Sequence, residues 1–435
     1  MPRTSLVHAL SCILISCIML AACAGIGRAA RYKTQADQFM ADGRLGEAVL
    51  TYRQALTAEP DDPGILSGLG MALAAQGRGR SAAVILHRVA SKRPDQAATT
   101  NALAALVTQP QDGLSLKLAW IVSTVEAEAV GAAAASGRVF VVYADGRLMA
   151  LAQASGQLLW ETQTPVALVS PPAADADQVW VGGEDGSILV YAAKSGQLLG
   201  SYLTDGAVYA AATLTPEIAY CASNDGSLYA LRRSSLKLVW KAVIGDALHV
   251  SPLVAGPSIY VGSNAGRLYG LQASTGERLW PEGIITQGAV ESVPAFSNGR
   301  IFVGSGDGRM YALDAQTGHE YWHFSTPDAI YAQPRVLNEQ VIVASSGRLL
   351  ASIRISDGTP SWTLKLEHAS TEAPAVFKDR LYLATRGDPR LFAVDPLNGK
   401  LLGDLNTGDW IAHGPLVDGT DLVLVGQDGS VFLYR

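Results

Sequence analysis

The chain has 435 residues, 17% of them charged and 49% hydrophobic, which excludes an unfolded, solvated chain and leaves room for more than one domain. Its net charge of −6 and the absence of any block of Lys and Arg exclude an electrostatic nucleic-acid surface.

In chain order, MPRTS carries one Arg and leads into an apolar run from Leu6 to Ala22, ending in Leu20-Ala21-Ala22-Cys23. This resembles a bacterial lipoprotein signal rather than a spanning helix. Residues 1–22 then read as the signal, Cys23 as the acylated residue and 23–28 as a lipid-anchored tether. Leu14-Ile15-Ser16-Cys17 fits a looser version with a very short apolar region. Ala24, rather than Asp, after Cys23 implies sorting to the outer membrane, facing the periplasm. Processing would leave only Cys23 and Cys221, and so no intramolecular disulfide. Cys221 in IAYCASNDG reads as a small buried side chain.

From residue 29 to about 96 a 34-residue period appears. Gly43, Ala48, Tyr52, Ala55 and Pro60 return as Gly77, Ala82, Leu86, Val89 and Pro94. With Leu69-Gly70 this resembles two tetratricopeptide repeats, in which small residues let paired helices approach and Pro stops the second helix. AATTNALAALV (97–107) reads as a capping helix, and 29–110 as one helical module.

At residue 113 the period changes to about 40. Trp120, Trp160, Trp240, Trp280, Trp322 and Trp362 mark it, with Gly200 in the skipped place. Turn pairs move with them, near 146, 186, 226, 266, 308, 347, 387 and 429. Asp-Gly between alternating apolar runs predicts type I′ hairpins. One complete unit is VPAFSNGRIFVGSGDGRMYALDAQTGHEYWHF (293–324), four strands long. Eight such units over 113–435 predict a mainly β chain with a small α module: an eight-bladed β-propeller of four-stranded antiparallel blades. The last unit stops at VFLYR, so LKLAW (116–120) is expected to supply its fourth strand and close the ring.

The pattern V-G-S-x-D-G-x-L-Y-A-L-D-A-x-T-G-x-x-x-W, the lipobox and the ending LVLVGQDGSVFLYR resemble the PQQ-type repeat propellers of the BamB family, over about three quarters of the chain. The helical repeats are an addition to that pattern. The resemblance implies a lipid-anchored periplasmic scaffold with protein partners, such as a BamA-like subunit of the barrel assembly machinery. An adaptor in another envelope complex, for secretion or cell-wall assembly, stays open. A PQQ-dependent dehydrogenase is the reading from another class. It lacks support, because there is no adjacent Cys-Cys and 40-residue units leave no room for long insertions. No cofactor, metal, catalytic residue, nucleic acid or small-molecule substrate is expected.

Two motifs need separate treatment. His319-Glu320-Tyr321-Trp322-His323 spells H-E-x-x-H, which binds zinc only on a helix. Here it aligns with fourth strands, where the two His lie about 13 Å apart and Glu320 is expected on the opposite face. Gly304-Ser305-Gly306-Asp307-Gly308 lies between two strands and not before a helix, so it does not cradle phosphate; its Asp reads as a turn cap, as at the other Asp-Gly turns. The repeated Trp residues are expected between adjacent sheets.

The candidate partner-binding surface follows from the repeat. First strands contain Pro172, Pro252, Pro294, Pro334, Pro374 and Pro415, and should line the channel. Three residues upstream, Tyr209, His249, Glu291, Tyr331 and Thr371 are expected to form a ring with Ala129, Val169 and Ala412. Trp410, just before a first strand, joins them. The mixture suits a protein or peptide better than acid–base work.

Overall fold

The computed structural model describes residues 27–59, 62–76, 82, 85–86, 89, 114, 116–122, 128–370, 372–407 and 410–435. Cys23, the capping segment 97–107 and Thr371 fall outside these residues. The chain divides into two compact units, one over residues 1–110 and one that begins at Gln111. Among the described residues, no helix is long and apolar enough to cross a membrane.

The first unit is helical. Helix α1 covers 27–41, so residues 27–28, expected in the tether, are already helical. Gly43 ends it with φ +71, the left-handed value that a helix C-terminus requires, while Arg44 N–H reaches back to Phe39 O at 2.9 Å. Helix α2 is Leu45–Ala58. Helix α3 is Pro63–Ala75, capped by the Asp62 carboxylate accepting from Ile65 N–H, with Pro63 at its first turn. Ala48, Tyr52, Ala55, Leu69, Ala72, Ala82 and Leu86 are buried. A Cβ on Gly70 would come within 2.6 Å of Leu86, so the Leu-Gly pair marks a close helix–helix approach.

The second unit is built from the 40-residue repeat. Eight four-stranded antiparallel sheets form among the described residues. In the blade spanning Ala295–Ser325, for example, the second and third strands are nearly continuous buried runs, while the outer strand Glu320–Ser325 alternates towards solvent. The middle strands therefore bury both faces, and the core lies between neighbouring sheets. One apolar cluster joins Trp120, Val423 and Val425 of the last blade to Val139, Val141 and Met149 of the first. First strands of most successive blades approach one another around the axis.

The ring closes as the truncated last unit requires. Leu118–Val122 pairs antiparallel with Val431–Tyr434, with Leu118 opposite Tyr434 and Val122 opposite Val431. Lys117 and Arg435 exchange two backbone hydrogen bonds of 2.9 Å.

Each repeat Trp ties its blade to the next. Trp120, Trp160, Trp240, Trp280, Trp322 and Trp362 donate from Nε1 to the carbonyls of Gln153, Ala193, Ala273, Gln316, Ile355 and Pro396, at 2.8–3.0 Å. The indole also covers a glycine of that neighbour: a Cβ on Gly358 would meet Trp322 at 2.6 Å.

Two local expectations need correction. The Asp-Gly turns are not type I′. Gly146 N–H donates to Tyr143 O at 3.0 Å, and of the pair only Gly146 has positive φ, +87. That is a type I turn followed by a left-handed glycine. Asp145 Oδ1 accepts Arg147 N–H, and the same cap recurs at Asp185, Asp225, Asp307, Asp388 and Asp428. Two successive positive φ values, the type I′ signature, instead occur between first and second strands, at Ser136-Gly137 (+52, +74) and Asn298-Gly299 (+50, +75). The first strands are also shorter than expected. Those of five blades begin just after Pro172, Pro252, Pro294, Pro334 and Pro374, because Pro has no N–H for the ladder; Pro415 alone lies inside its strand.

Candidate functional site

The shortened strands decide where the ring positions fall. Tyr209, His249, Glu291 and Tyr331 precede their first strands and lie on loops, whereas Ala129 and Ala412 lie on strands. Tyr209 and Tyr331 keep exposures of 36% and 39% despite their size.

The ring positions separate into two groups. Tyr209 and His249 meet edge-to-face, with ring centroids 5.0 Å apart. With the proton on Nε2, His249 donates to Asn224 Oδ1 at 2.7 Å and accepts at Nδ1 from Asn264 Nδ2 at 2.7 Å. The imidazole is thus fixed between two amides and is not free to act as a base. On the other side, Glu291, Tyr331 and Trp410 line one cavity of about 590 Å³ with Ala129 and Ala412.

Sequence reasoning missed several residues of that cavity. Glu128, Glu372 and His413 each sit one place from a ring position, and Arg386 and Thr385 come from the end of a second strand. His413 Nε2 lies 3.0 Å from Ala129 O, and its Nδ1 lies 3.9 Å from Glu372 Oε1. Burial pushes the Glu372 carboxyl above its ordinary value, against the opposing pull of His413 and the Gly414 N–H. The available signal was the 40-residue offset read one residue to either side.

The other singled-out groups are engaged locally. His319, Glu320 and His323 lie on or beside the outer strand Glu320–Ser325. Glu320 does not point away from His323, contrary to the alternation argument. A bulge opposite Ala312/Leu313 inserts one residue, and Glu320 Oε1 lies 2.7 Å from His323 Nδ1. Among the described residues, the group with metal-ligand proximity is Glu367, His368 and Asp388. Its place for a cation is taken by Arg390, whose guanidinium bonds Asp388 at 2.8–3.1 Å and Glu367 at 2.7 Å. Cys221 is fully buried, and burial pushes its thiol up to about 12, the opposite of a nucleophile.

The repeat, the eight blades and the closing strand can now be set beside known proteins. A family model described as outer membrane protein assembly factor BamB matches residues 115–212, 208–290 and 285–431. The chain belongs to the BamB family. A tetratricopeptide repeat model matches residues 39–106, ahead of the BamB-type propeller. Among solved structures, BamB from Moraxella catarrhalis is similar, with TM-score 0.63 and 16% identity, over 74% of this chain and 98% of that one. The computationally designed Ika8 protein is similar too, with TM-score 0.65 and 19% identity, over 72% and 97%. At such identities the likeness establishes the fold alone. No curated protein matches the chain.

Proposed function

We propose that this BamB-family chain is a non-catalytic, lipid-anchored scaffold of the bacterial envelope that binds protein partners through the channel-mouth ring of its propeller. The observation that carries the reading is the ring itself. Eight short blades bring Tyr209, His249, Glu291 and Tyr331 to their strand-leading loops, with two exposed aromatics and a histidine whose nitrogens are both engaged. Exposed aromatic and polar side chains on rigid loops suit recognition of a partner surface. The helical repeats add a second surface of a kind used for protein binding. Acylation at Cys23 would hold both units at the periplasmic face of the outer membrane, where Arg28, Arg31 and Lys33 meet anionic headgroups. The family description favours β-barrel protein assembly as the process; an adaptor in a secretion or cell-wall complex is the second reading, favoured by the added helical module.

The test is affinity purification of the chain from gently extracted membranes. Co-purification of barrel-assembly subunits, weakened by Tyr209→Ala with Tyr331→Ala, is the expected result. Their absence, with another envelope complex in their place, would select the second reading. Quinone absorbance and dye-linked alcohol oxidation on addition of PQQ and calcium would overturn the scaffold assignment.

A further inference from the structure

The cavity of about 590 Å³ at the channel mouth is asymmetric in charge. Glu128, Glu291 and Glu372 line it against the single guanidinium of Arg386, three carboxyl groups to one fixed cation. No side-chain hydrogen bond to Glu128, Glu291 or Arg386 forms among the described residues. Thr385, only 2% exposed, lines the same cavity with an Oγ1 that has no partner among the described residues. Tyr331 and Trp410 add aromatic surface to the wall.

A bare metal ion does not suit this arrangement. It needs ligand atoms crowded around one point, and the Glu128, Glu291 and Glu372 carboxylates do not form such a group. Separated carboxylates beside aromatic rings suit a larger, planar cation that stacks and donates in several directions at once. A guanidinium has those properties, whereas an ammonium is a compact, strongly hydrated point charge.

We propose that this cavity is a binding site for a guanidinium group, the side chain of an arginine on an extended segment of a partner protein. The proposal deepens the scaffold reading and rests on it. The cavity holds the arginine, while the neighbouring Tyr209–His249 side of the ring remains available to the rest of the partner.

The full chain, titrated by calorimetry with acetyl-Gly-Arg-Gly-amide, should bind it saturably, and the Gln analogue should not bind. Glu372→Gln combined with Glu291→Gln should weaken the arginine peptide at least about tenfold, with loss of affinity at high salt. Glu128→Gln, at the exposed rim, supplies a second variant should the pair fail to fold, with a weakening of about threefold expected. Equal affinity for the Gln peptide, no saturable binding, or unchanged affinity in the folded variants overturns the proposal. Equal affinity for free arginine amide overturns the partner segment as source and leaves a free small cation. A failed peptide titration alongside intact membrane co-purification overturns the cavity assignment alone; loss of co-purification overturns the scaffold reading.

Discussion

Leu236 fills, from the neighbouring blade, the space that Gly200 leaves empty. At the other regular joints a Trp on the fourth strand covers a left-handed glycine of the next blade, as Trp240 covers Gly276. Between the second and third blades the sizes are exchanged. Gly200 stands at the Trp position and Leu236 at the glycine position, where a Cβ on Gly200 would meet Leu236 Cδ1 at 2.7 Å. Leu236 keeps the turn's left-handed backbone, with φ +55, at a steric cost that glycine would not carry.

The exchange predicts strong coupling between the two positions. Gly200→Trp alone should destabilise by about 1–3 kcal/mol through overpacking against Leu236. Leu236→Gly alone relieves the backbone but leaves a gap over Gly200, and should also destabilise. The double variant restores the joint found in the other blades and should recover most of both losses. Urea unfolding of the four proteins measures the coupling, and strictly additive effects would contradict it.

This joint also shows what the sequence made legible. The 40-residue period located every blade, because one unit must bury its faces against the next. It marked Gly200 as a skipped Trp, yet the compensating Leu236 was invisible, since a Leu in a turn carries no periodic signal. Ring closure was legible because a three-strand last unit leaves an unpaired edge. The cavity was half legible: Glu291 and Tyr331 follow from the offset, but Glu372 and His413 sit one residue away; Glu372 precedes a first strand trimmed by Pro374, and two register shifts interrupt the strand that carries His413. The bulge that brings Glu320 to His323 likewise adds one residue to a strict period of two.

Arg348 is a second non-glycine at a glycine position. It replaces the glycine of the type I turn and adopts φ +63, and its exposed side chain makes no hydrogen bond or ion pair among the described residues. Arg348→Gly should therefore stabilise the propeller by about 1 kcal/mol, read as an upward shift in thermal midpoint. Unchanged or lower stability would indicate that the side chain contributes something that its contacts do not reveal.

The closing strand should open locally more than an ordinary outer strand when its Trp is lost. Trp120 is 9% exposed and donates to Gln153 O, but its strand is held to the last blade by pairing alone, without a hairpin turn. Trp120→Ala should cost about 3–5 kcal/mol and raise hydrogen exchange at Val431–Tyr434. Trp322→Ala, in a blade whose strands are joined by turns, should cost a similar amount while its third strand, Arg309–Asp314, stays more protected. Equal exchange in the two variants would show that closure is as secure as an ordinary joint.

Glu372 gives a pH dependence of definite sign. Burial raises its folded-state carboxyl above the unfolded value, so the folded state holds the proton more tightly. The favourable contribution is complete below the unfolded value, about pH 4 for Glu, and is lost as pH rises through the folded value. Glu372→Gln removes that loss. The variant should gain on the wild type as pH increases from 4 to 7, by less than about 1 kcal/mol, because the side chain keeps 36% of its surface and solvent screens it. The groups facing it, Glu128, Glu291, Arg386, Tyr331 and His413, are common to both proteins. Glu277→Gln, on an exposed turn, provides the reference. Urea unfolding at both pH values checks the sign. A variant that loses stability at pH 7 relative to the wild type would mean that the His413 and Gly414 contacts outweigh burial, and that the carboxylate is held charged by the fold.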